Sequence, residues 1–199
     1  RKSGNAAIQA GAPGYFMAAD HVPLLDKPMR LDRSDGDVHP AGNPHLQTDP
    51  RRIAQVAEHL AATLVAIDGE HAALYRANLA EFHGRWAQAI LGWQTRGAPL
   101  RGLRIAVHHD SWRYLTDWLG IVRVATLEPK PGVPPSSKYL AELVTQLQRQ
   151  PPALILRATY DDDRPANWLG EKMGLPVVAL DLTVPEPEQP DSLFRWFAS

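Results

Sequence analysis

Nine residues decide how the second half of the chain folds: Leu103-Arg104-Ile105-Ala106-Val107-His108-His109-Asp110-Ser111. The first five form a short, mainly apolar run that predicts a buried strand, and Asp110-Ser111 is typical of the start of a helix. Side chains alternate along an extended backbone, so only one of His108 and His109 is expected to face a given cleft. Open α/β sheets bind ligands at the carboxyl ends of their strands, which makes His109 a candidate site residue.

Strands and helices alternate regularly after residue 97. The apolar runs predict strands over 103–107, 122–127, 153–157 and 176–180. The amphipathic segments between them predict helices over 111–119, 137–148 and 164–173, and a last helix begins over 191–197. This alternation implies a parallel sheet wrapped by right-handed crossovers. Residues 98–199 are therefore predicted to form an α/β lobe.

A long helical stretch precedes this lobe. Thr48-Asp49-Pro50 supplies a capping residue followed by proline at the first helical position. Apolar residues then recur with the helical period over 53–93, and Asp68-Gly69 indicates a break. Residues 49–97 are therefore predicted as a long linking helix, whereas residues 1–48 are irregular and rich in glycine and proline.

The composition narrows the classes of function. With 21 basic and 22 acidic side chains the net charge is −1, which gives no basic excess for binding nucleic acid. No segment approaches the roughly 20 consecutive apolar residues that cross a bilayer, so direct membrane insertion is not expected. The sequence contains no cysteine. A metal site built from these residues must therefore use imidazole and carboxylate ligands rather than thiolates.

The eight histidines differ in their value as metal ligands. His59, His71 and His83 follow one another at steps that turn about 120° around a helix, so they point in three directions. His45 lies in a proline-held loop before the helical stretch, and His109 ends the first predicted strand. Local motifs such as H-E-x-x-H, the P-loop and G-x-S-x-G are missing from the sequence. His45 and His109 can form a site only if the fold brings them together.

Three segments carry a resemblance to the zinc and manganese receptors of bacterial ABC uptake systems. The first is Gly36-Asp37-Val38-His39-Pro40-Ala41-Gly42-Asn43-Pro44-His45, which is followed by Asp49-Pro50 and the long helical stretch. The second is Val107-His108-His109-Asp110-Ser111-Trp112-Arg113-Tyr114-Leu115. The third is the proline-rich turn Glu128-Pro129-Lys130-Pro131-Gly132-Val133-Pro134-Pro135-Ser136. Their order matches that of the family, and the resemblance covers nearly the whole chain.

The resemblance implies a bilobal metal-receptor fold, in which one rigid helix joins two α/β lobes and the ion lies between them. His45 matches the family's second metal histidine and His109 its third. The first metal histidine is expected outside these 199 residues, in a first lobe of which residues 1–48 are the remnant. Simple register places a fourth ligand at Val184, which cannot bind metal. Asp181 is the nearest carboxylate and is therefore the predicted ligand.

The resemblance also implies a function. The chain is expected to be an extracytoplasmic solute-binding protein, periplasmic or membrane-associated, that acts as a monomer and delivers its ion to an ABC permease without being an enzyme. Zn²⁺ is the expected cargo because nitrogen-rich sites favour it, and Mn²⁺ is the alternative. Two other classes stay open: a zinc-dependent hydrolase, in which the same residues leave a coordination position for water, and an interaction module whose histidines bind no metal.

Two hypotheses concern the surroundings of the predicted site. Asp35, Asp37 and His39 are predicted to catch the ion before it reaches His45, and a plain solvated loop is the alternative interpretation. Asp110 is expected either to orient the neighbouring histidine or to cap the helix that follows it.

Overall fold

The computed structural model describes residues 4–28, 36, 39–186, 189 and 191–199. Its sheet consists of four parallel strands in the order β2-β1-β3-β4. The bounds are β1 Arg104–Val107, β2 Val122–Thr126, β3 Leu154–Ala158 and β4 Val177–Leu180. Each bound lies within one residue of the range predicted from the sequence, so the α/β fold class is confirmed.

The α-helices of the described residues cover both faces of this sheet. In chain order they are α1 Pro50–Ile67, α2 Ala72–Gly97, α3 Arg113–Leu119, α4 Ser137–Leu147, α5 Asp163–Met173 and α6 Ser192–Ala198. On one face, Leu143 of α4 and Leu169 of α5 cluster with Ile155 of β3. On the other face, Leu115 of α3 packs against the cluster that contains Ile105 of β1. None of the described helices is both long and apolar enough to cross a membrane.

The strand order creates a crevice beside β1. The chain leaves β1 to form β2 on one side and then crosses back to form β3 on the other side. In open α/β sheets such a reversal opens a gap at the carboxyl ends of the strands, where ligands bind. His108 and His109 directly follow β1 and therefore lie at this crevice.

The segment predicted as one linking helix is a helical hairpin. Asp68 leaves the helical conformation with φ −139°, and a 3₁₀ turn, Gly69–His71, leads into α2. The two helices run antiparallel, because Trp86 Nε1 donates to Pro50 O at 2.8 Å while Tyr75 OH donates to Asp68 Oδ2 at 2.6 Å. The break that the sequence indicated is thus a reversal of direction, and α2, with 26 residues, is the long helix.

An aromatic cluster holds the hairpin against the lobe. Trp86, which is 1% exposed, packs edge-on against Trp93 of α2 with ring centroids 5.0 Å apart. It also packs edge-on against Phe194 and Phe197 of α6, at 4.9 and 5.4 Å. Trp118 of α3 belongs to the same cluster. The orientation of the hairpin relative to the sheet is therefore set by rings from three separate helices.

The described part of the N-terminal segment is irregular, as predicted, apart from short 3₁₀ turns. The hydroxyl of Tyr114 in α3 ties this segment to the lobe, since it accepts a hydrogen bond from Leu25 N–H at 3.0 Å and donates to Asn43 O at 2.7 Å. Tyr114 is fully buried. The 3₁₀ turns of the described residues before α1 include Ala6–Ile8, Ala18–His21 and Leu46–Thr48.

Candidate metal centre

The fold brings the imidazole rings of His45 and His109 together. Their centroids are 5.6 Å apart, and the rings are nearly perpendicular at 77°. His45 comes from the loop before the 3₁₀ turn Leu46–Thr48 that leads into α1, and His109 follows β1. Of the adjacent residues His108 and His109, it is His109 that meets His45, whereas His108 is buried. Two residues that are distant in sequence thus meet at the crevice beside β1.

Glu128 fixes the ring of His109. Its Oε2 atom lies 2.6 Å from His109 Nδ1 and accepts a second hydrogen bond from Gly132 N–H at 2.8 Å. Because an ionised carboxylate only accepts hydrogen bonds, Nδ1 is the nitrogen that carries the proton. In the neutral tautomer that this contact selects, Nε2 carries the lone pair and can bind a metal ion.

Asn43 fixes the ring of His45 in the same way. Its Oδ1 atom accepts from His45 N–H at 3.0 Å and lies 2.9 Å from His45 Nδ1. The orientation of the carboxamide follows from its other contact, in which Nδ2 donates to Asp110 O at 2.8 Å. Oδ1 is thus an acceptor, so Nδ1 of His45 carries the proton and Nε2 is the nitrogen able to bind a metal ion.

His45 is held in its neutral form. Its pKa is lowered from 6.5 to about 4, mainly because burial disfavours the charged imidazolium. The neighbouring rings of His109 and His39 lower the pKa further through charge repulsion. At pH 7 His45 therefore has a free lone pair and releases no proton when it binds a cation.

Asp181 lies close to the predicted site without joining the two rings. It follows β4, is exposed, and its Oδ1 accepts from the Thr159 hydroxyl at 2.6 Å. Gln47 Nε2 donates to Leu182 O at 3.4 Å, which brings this strand end to the loop of His45. The described residues contain no group of three or more histidine, aspartate or glutamate side chains arranged to hold one ion. The role of Asp181 as a ligand stays a prediction.

The two roles predicted for Asp110 are wrong. Its carboxylate pairs with Arg123 of β2, and burial raises its pKa although the guanidinium opposes this shift. Asp110 begins a 3₁₀ turn, Asp110–Trp112, whose N-cap is His109, and Trp112 is the N-cap of α3. The side chain is thus directed to the neighbouring strand. It neither orients the histidine nor caps a helix.

The three histidines of the helical stretch are separate, as predicted. His59 stacks on His21 of the N-terminal segment with centroids 4.8 Å apart. His71 Nδ1 lies 2.9 Å from a carboxylate oxygen of Asp68, and His83 packs against α1. These side chains have different partners, so they form no common site.

Sequence reasoning missed the two residues that hold the site histidines. Asn43 had a local signal, because an asparagine often hydrogen-bonds to the backbone N–H two residues further on, and that residue is His45. Glu128 gave no such signal. It is 19 residues from His109 and reaches it only because β1 and β2 are neighbours in the sheet.

The capture hypothesis falls mostly outside the described residues. Asp35 and Asp37 are among the residues that the structure does not describe, and His39 is exposed. His39 is near enough to His45 to lower its pKa. Transient capture of the ion by these three residues stays a prediction.

The family model described as zinc-uptake complex component A, periplasmic, matches residues 5–199. The chain belongs to this family. This family consists of solute-binding receptors and not of enzymes. The match confirms the resemblance that the three sequence segments indicate. No curated protein sequence matches the chain.

Solved structures of metal-binding receptors share the fold. A crystal structure of ZnuA has a TM-score of 0.67 and 22% identity, covering 79% of this chain and 59% of that one. The structure of the solute-binding protein FpvC of Pseudomonas aeruginosa with Mn²⁺ has a TM-score of 0.74 and 20% identity, and the match covers 91% of this chain and 64% of that one. A zinc-bound variant of AdcAII from Streptococcus pneumoniae has a TM-score of 0.70 and 18% identity, and the match covers 92% of this chain and 67% of that one. The chain thus spans 59–67% of the length of these structures.

Proposed function

We propose that the chain holds the metal ion in an extracytoplasmic solute-binding protein, which captures a transition metal and delivers it to an ABC permease. The observation that carries this function is the pair formed by His45 and His109. Each ring has Nδ1 engaged by a hydrogen bond, which makes Nε2 the nitrogen that can bind a cation, and the two rings meet at the crevice where such sheets bind ligands. Membership of the zinc-uptake family supports the same function.

Zn²⁺ is the proposed cargo. Neutral imidazoles are favoured zinc ligands, and the Irving–Williams order places Zn²⁺ above Mn²⁺ for a nitrogen-rich site. The solved structures include FpvC with Mn²⁺ and with Ni²⁺ and AdcAII with zinc, so related folds accept more than one ion. Mn²⁺ is therefore the alternative cargo, and a site with more carboxylate ligands would favour it.

Two imidazoles supply half of a four-coordinate zinc site. We propose Asp181 as a further ligand, since the hydrogen bond from Gln47 to Leu182 brings the end of β4 beside the loop of His45. To reach the ion, the exposed carboxylate of Asp181 exchanges its hydrogen bond with the Thr159 hydroxyl for the metal. A ligand with a competing hydrogen bond suits a receptor site, because the metal ion must be released as well as bound.

The partner and compartment belong to the same proposal. The family description places its members in the periplasm, and we propose that this protein works there as a monomer that docks on an ABC permease. A net charge of −1 supports neither nucleic acid as a partner nor attraction to an anionic membrane. The hydrolase alternative receives no support from a family of receptors.

Zinc affinity of the full-length receptor tests this proposal. His45→Ala and His109→Ala each remove one nitrogen ligand and should weaken Zn²⁺ binding by at least about 100-fold, measured by competition with a chromophoric chelator. His71→Ala is the matched control, because His71 is exposed and lies beside Asp68 on the hairpin. Competition between Zn²⁺ and Mn²⁺ in the same assay identifies the preferred cargo.

The outcomes separate the remaining classes of function. Loss of affinity in both site variants, with the control unchanged, supports a receptor that holds its ion between the two rings. Unchanged affinity in both variants would reject the site. Absence of zinc and manganese binding by the unaltered receptor would leave the interaction module as the function.

A further inference from the structure

All four polar groups of Asn43 are engaged in hydrogen bonds at or beside the candidate metal centre. Its side-chain Oδ1 faces the backbone N–H and the Nδ1–H of His45, and its Nδ2 donates to Asp110 O at 2.8 Å. Its backbone O accepts from the Tyr114 hydroxyl at 2.7 Å, and its N–H donates to Leu25 O at 2.8 Å. Three segments of the chain, around Leu25, His45 and residues 110–114, therefore meet at this one residue.

These contacts connect the two histidine-bearing segments directly. Asp110 immediately follows His109, so the bond from Asn43 Nδ2 to Asp110 O ties the loop of His45 to the end of β1. Tyr114 strengthens this connection from the next helix, since its buried hydroxyl bonds to the backbone of Asn43. Glu128 contacts His109 and the turn at Gly132, but the bridge between the two segments is made by Asn43.

We infer that Asn43 is a positioning residue of the metal centre: it sets the ring orientation and proton position of His45 and fixes the spacing of that ring from His109. This inference rests on the proposed function, because it assigns Asn43 a role in metal binding. The physical reason is that an imidazole has two nitrogens that exchange a proton and a ring that rotates about its bond to Cβ. An acceptor at Nδ1 selects one tautomer and one ring rotation, so that Nε2 carries the lone pair and points in one fixed direction.

Two substitutions separate the two halves of this role. Asn43→Ala removes both the acceptor for His45 and the donor to Asp110 O. Asn43→Asp keeps an oxygen acceptor at the position of Oδ1 but replaces the donor by a second oxygen, which faces the Asp110 carbonyl and repels it. Asn78→Ala, at an exposed position on α2, is the matched control.

The experiment uses the full-length receptor and two readouts. Long-range ¹H–¹⁵N correlation spectra of the metal-free protein report the tautomer of His45, and chelator competition reports Zn²⁺ affinity. In Asn43→Ala, the Nδ1–H tautomer should no longer be the single species of His45, and Zn²⁺ should bind about 10- to 100-fold more weakly. Asn43→Asp should restore the tautomer and recover only part of the affinity. The control should match the unaltered receptor in both readouts.

A role confined to folding predicts other results. The inference is overturned if Asn43→Ala retains the Nδ1–H tautomer, or if it loses the tautomer and still binds Zn²⁺ within twofold of the unaltered receptor. If Asn43→Ala does not fold, Asn43→Asp decides alone, and loss of the His45 tautomer in that variant overturns the inference. Failure of the unaltered receptor to bind Zn²⁺ contradicts the proposed function, while the tautomer spectra still show whether Asn43 holds His45.

Discussion

At the scale of single residues, the two site imidazoles are held by acceptors of unlike charge. His109 Nδ1 bonds to the carboxylate of Glu128, whereas His45 Nδ1 bonds to the neutral amide of Asn43. A carboxylate at Nδ1 draws the proton toward itself and makes the other nitrogen a stronger donor to a metal ion. We therefore expect His109 to bind the ion more strongly than His45 does.

This asymmetry predicts the effect of removing one charge. Glu128→Gln keeps an oxygen acceptor for His109 Nδ1 but loses the negative charge, so Zn²⁺ affinity should fall by about 10-fold. Glu128→Ala also releases the ring and should cost about 100-fold. Chelator competition on the full-length receptor measures both losses. Glu142→Gln, at an exposed position on α4, serves as the control, and equal affinities in all four proteins would exclude a role for Glu128.

The low pKa of His45 predicts how stability depends on pH without metal. Its pKa is about 4 in the folded protein and 6.5 in the unfolded chain, so the unfolded chain takes up this proton first as the pH falls. The free energy of unfolding should therefore decrease between pH 6.5 and pH 4. The contribution of His45 is on the order of 1–2 kcal/mol after discounting for the solvent that reaches this partly exposed ring.

Urea unfolding of the metal-free receptor at several pH values tests this expectation. His45→Gln should flatten the decline relative to the unaltered protein, because the titrating group is gone. His71→Gln changes an exposed histidine and should leave the decline in place. A decline that is equally steep in His45→Gln would show that other groups produce it.

At the scale of elements, the sequence predicted the lobe closely and the hairpin only in part. The four strands are short, mainly apolar runs, of which β1 and β3 are largely buried. Local pattern and final structure therefore agree to within one residue. The periodicity over 49–97 is helical on both sides of Asp68, and such a pattern carries no information on the direction in which the second helix runs. That direction depends on long-range packing of Trp86 against Pro50 and α6.

The candidate site shows the same limit. His109 was predictable because it ends a strand, and His45 was found through the resemblance. The contact between Glu128 and His109 depends on the pairing of β1 with β2, and the side chain of Asp110 is directed by Arg123 of β2. Neither contact has a signature in local sequence, because both are set by which strands become neighbours.

The loop that carries His45 depends on a glycine. Gly42 has φ +116°, and a Cβ atom there would lie 2.7 Å from Leu25 O and 2.9 Å from Leu24 Cβ. Gly42→Ala should therefore displace the loop, lower the stability by about 1–3 kcal/mol and weaken Zn²⁺ binding. Gly84→Ala in α2 is the contrasting control, since nothing lies within 4 Å of its added Cβ, and helix propensity should stabilise it by up to about 1 kcal/mol. Urea unfolding and chelator competition measure both variants.

At the scale of the whole molecule, an ion held by the two rings would join segments that are distant in sequence. His45 belongs to the segment that leads into the hairpin, and His109 belongs to the sheet. A metal bound by both rings adds a link between hairpin and lobe, and it stabilises the folded state by mass action. At a free Zn²⁺ concentration of 100 times Kd this linkage contributes about 2.7 kcal/mol.

Sharing of one ion predicts that the two histidines do not act independently. Removing either ring alone should cost most of the affinity, so removing both should cost less than the sum of the separate losses. The coupling between His45→Ala and His109→Ala in a double-mutant cycle of Zn²⁺ affinity should therefore be at least about 1 kcal/mol. The cycle of His45→Ala with His71→Ala should be additive within about 0.5 kcal/mol, because His71 lies on the hairpin beside Asp68. Additive losses for the site pair would mean that the rings act separately, and a single ion held between them would then be wrong.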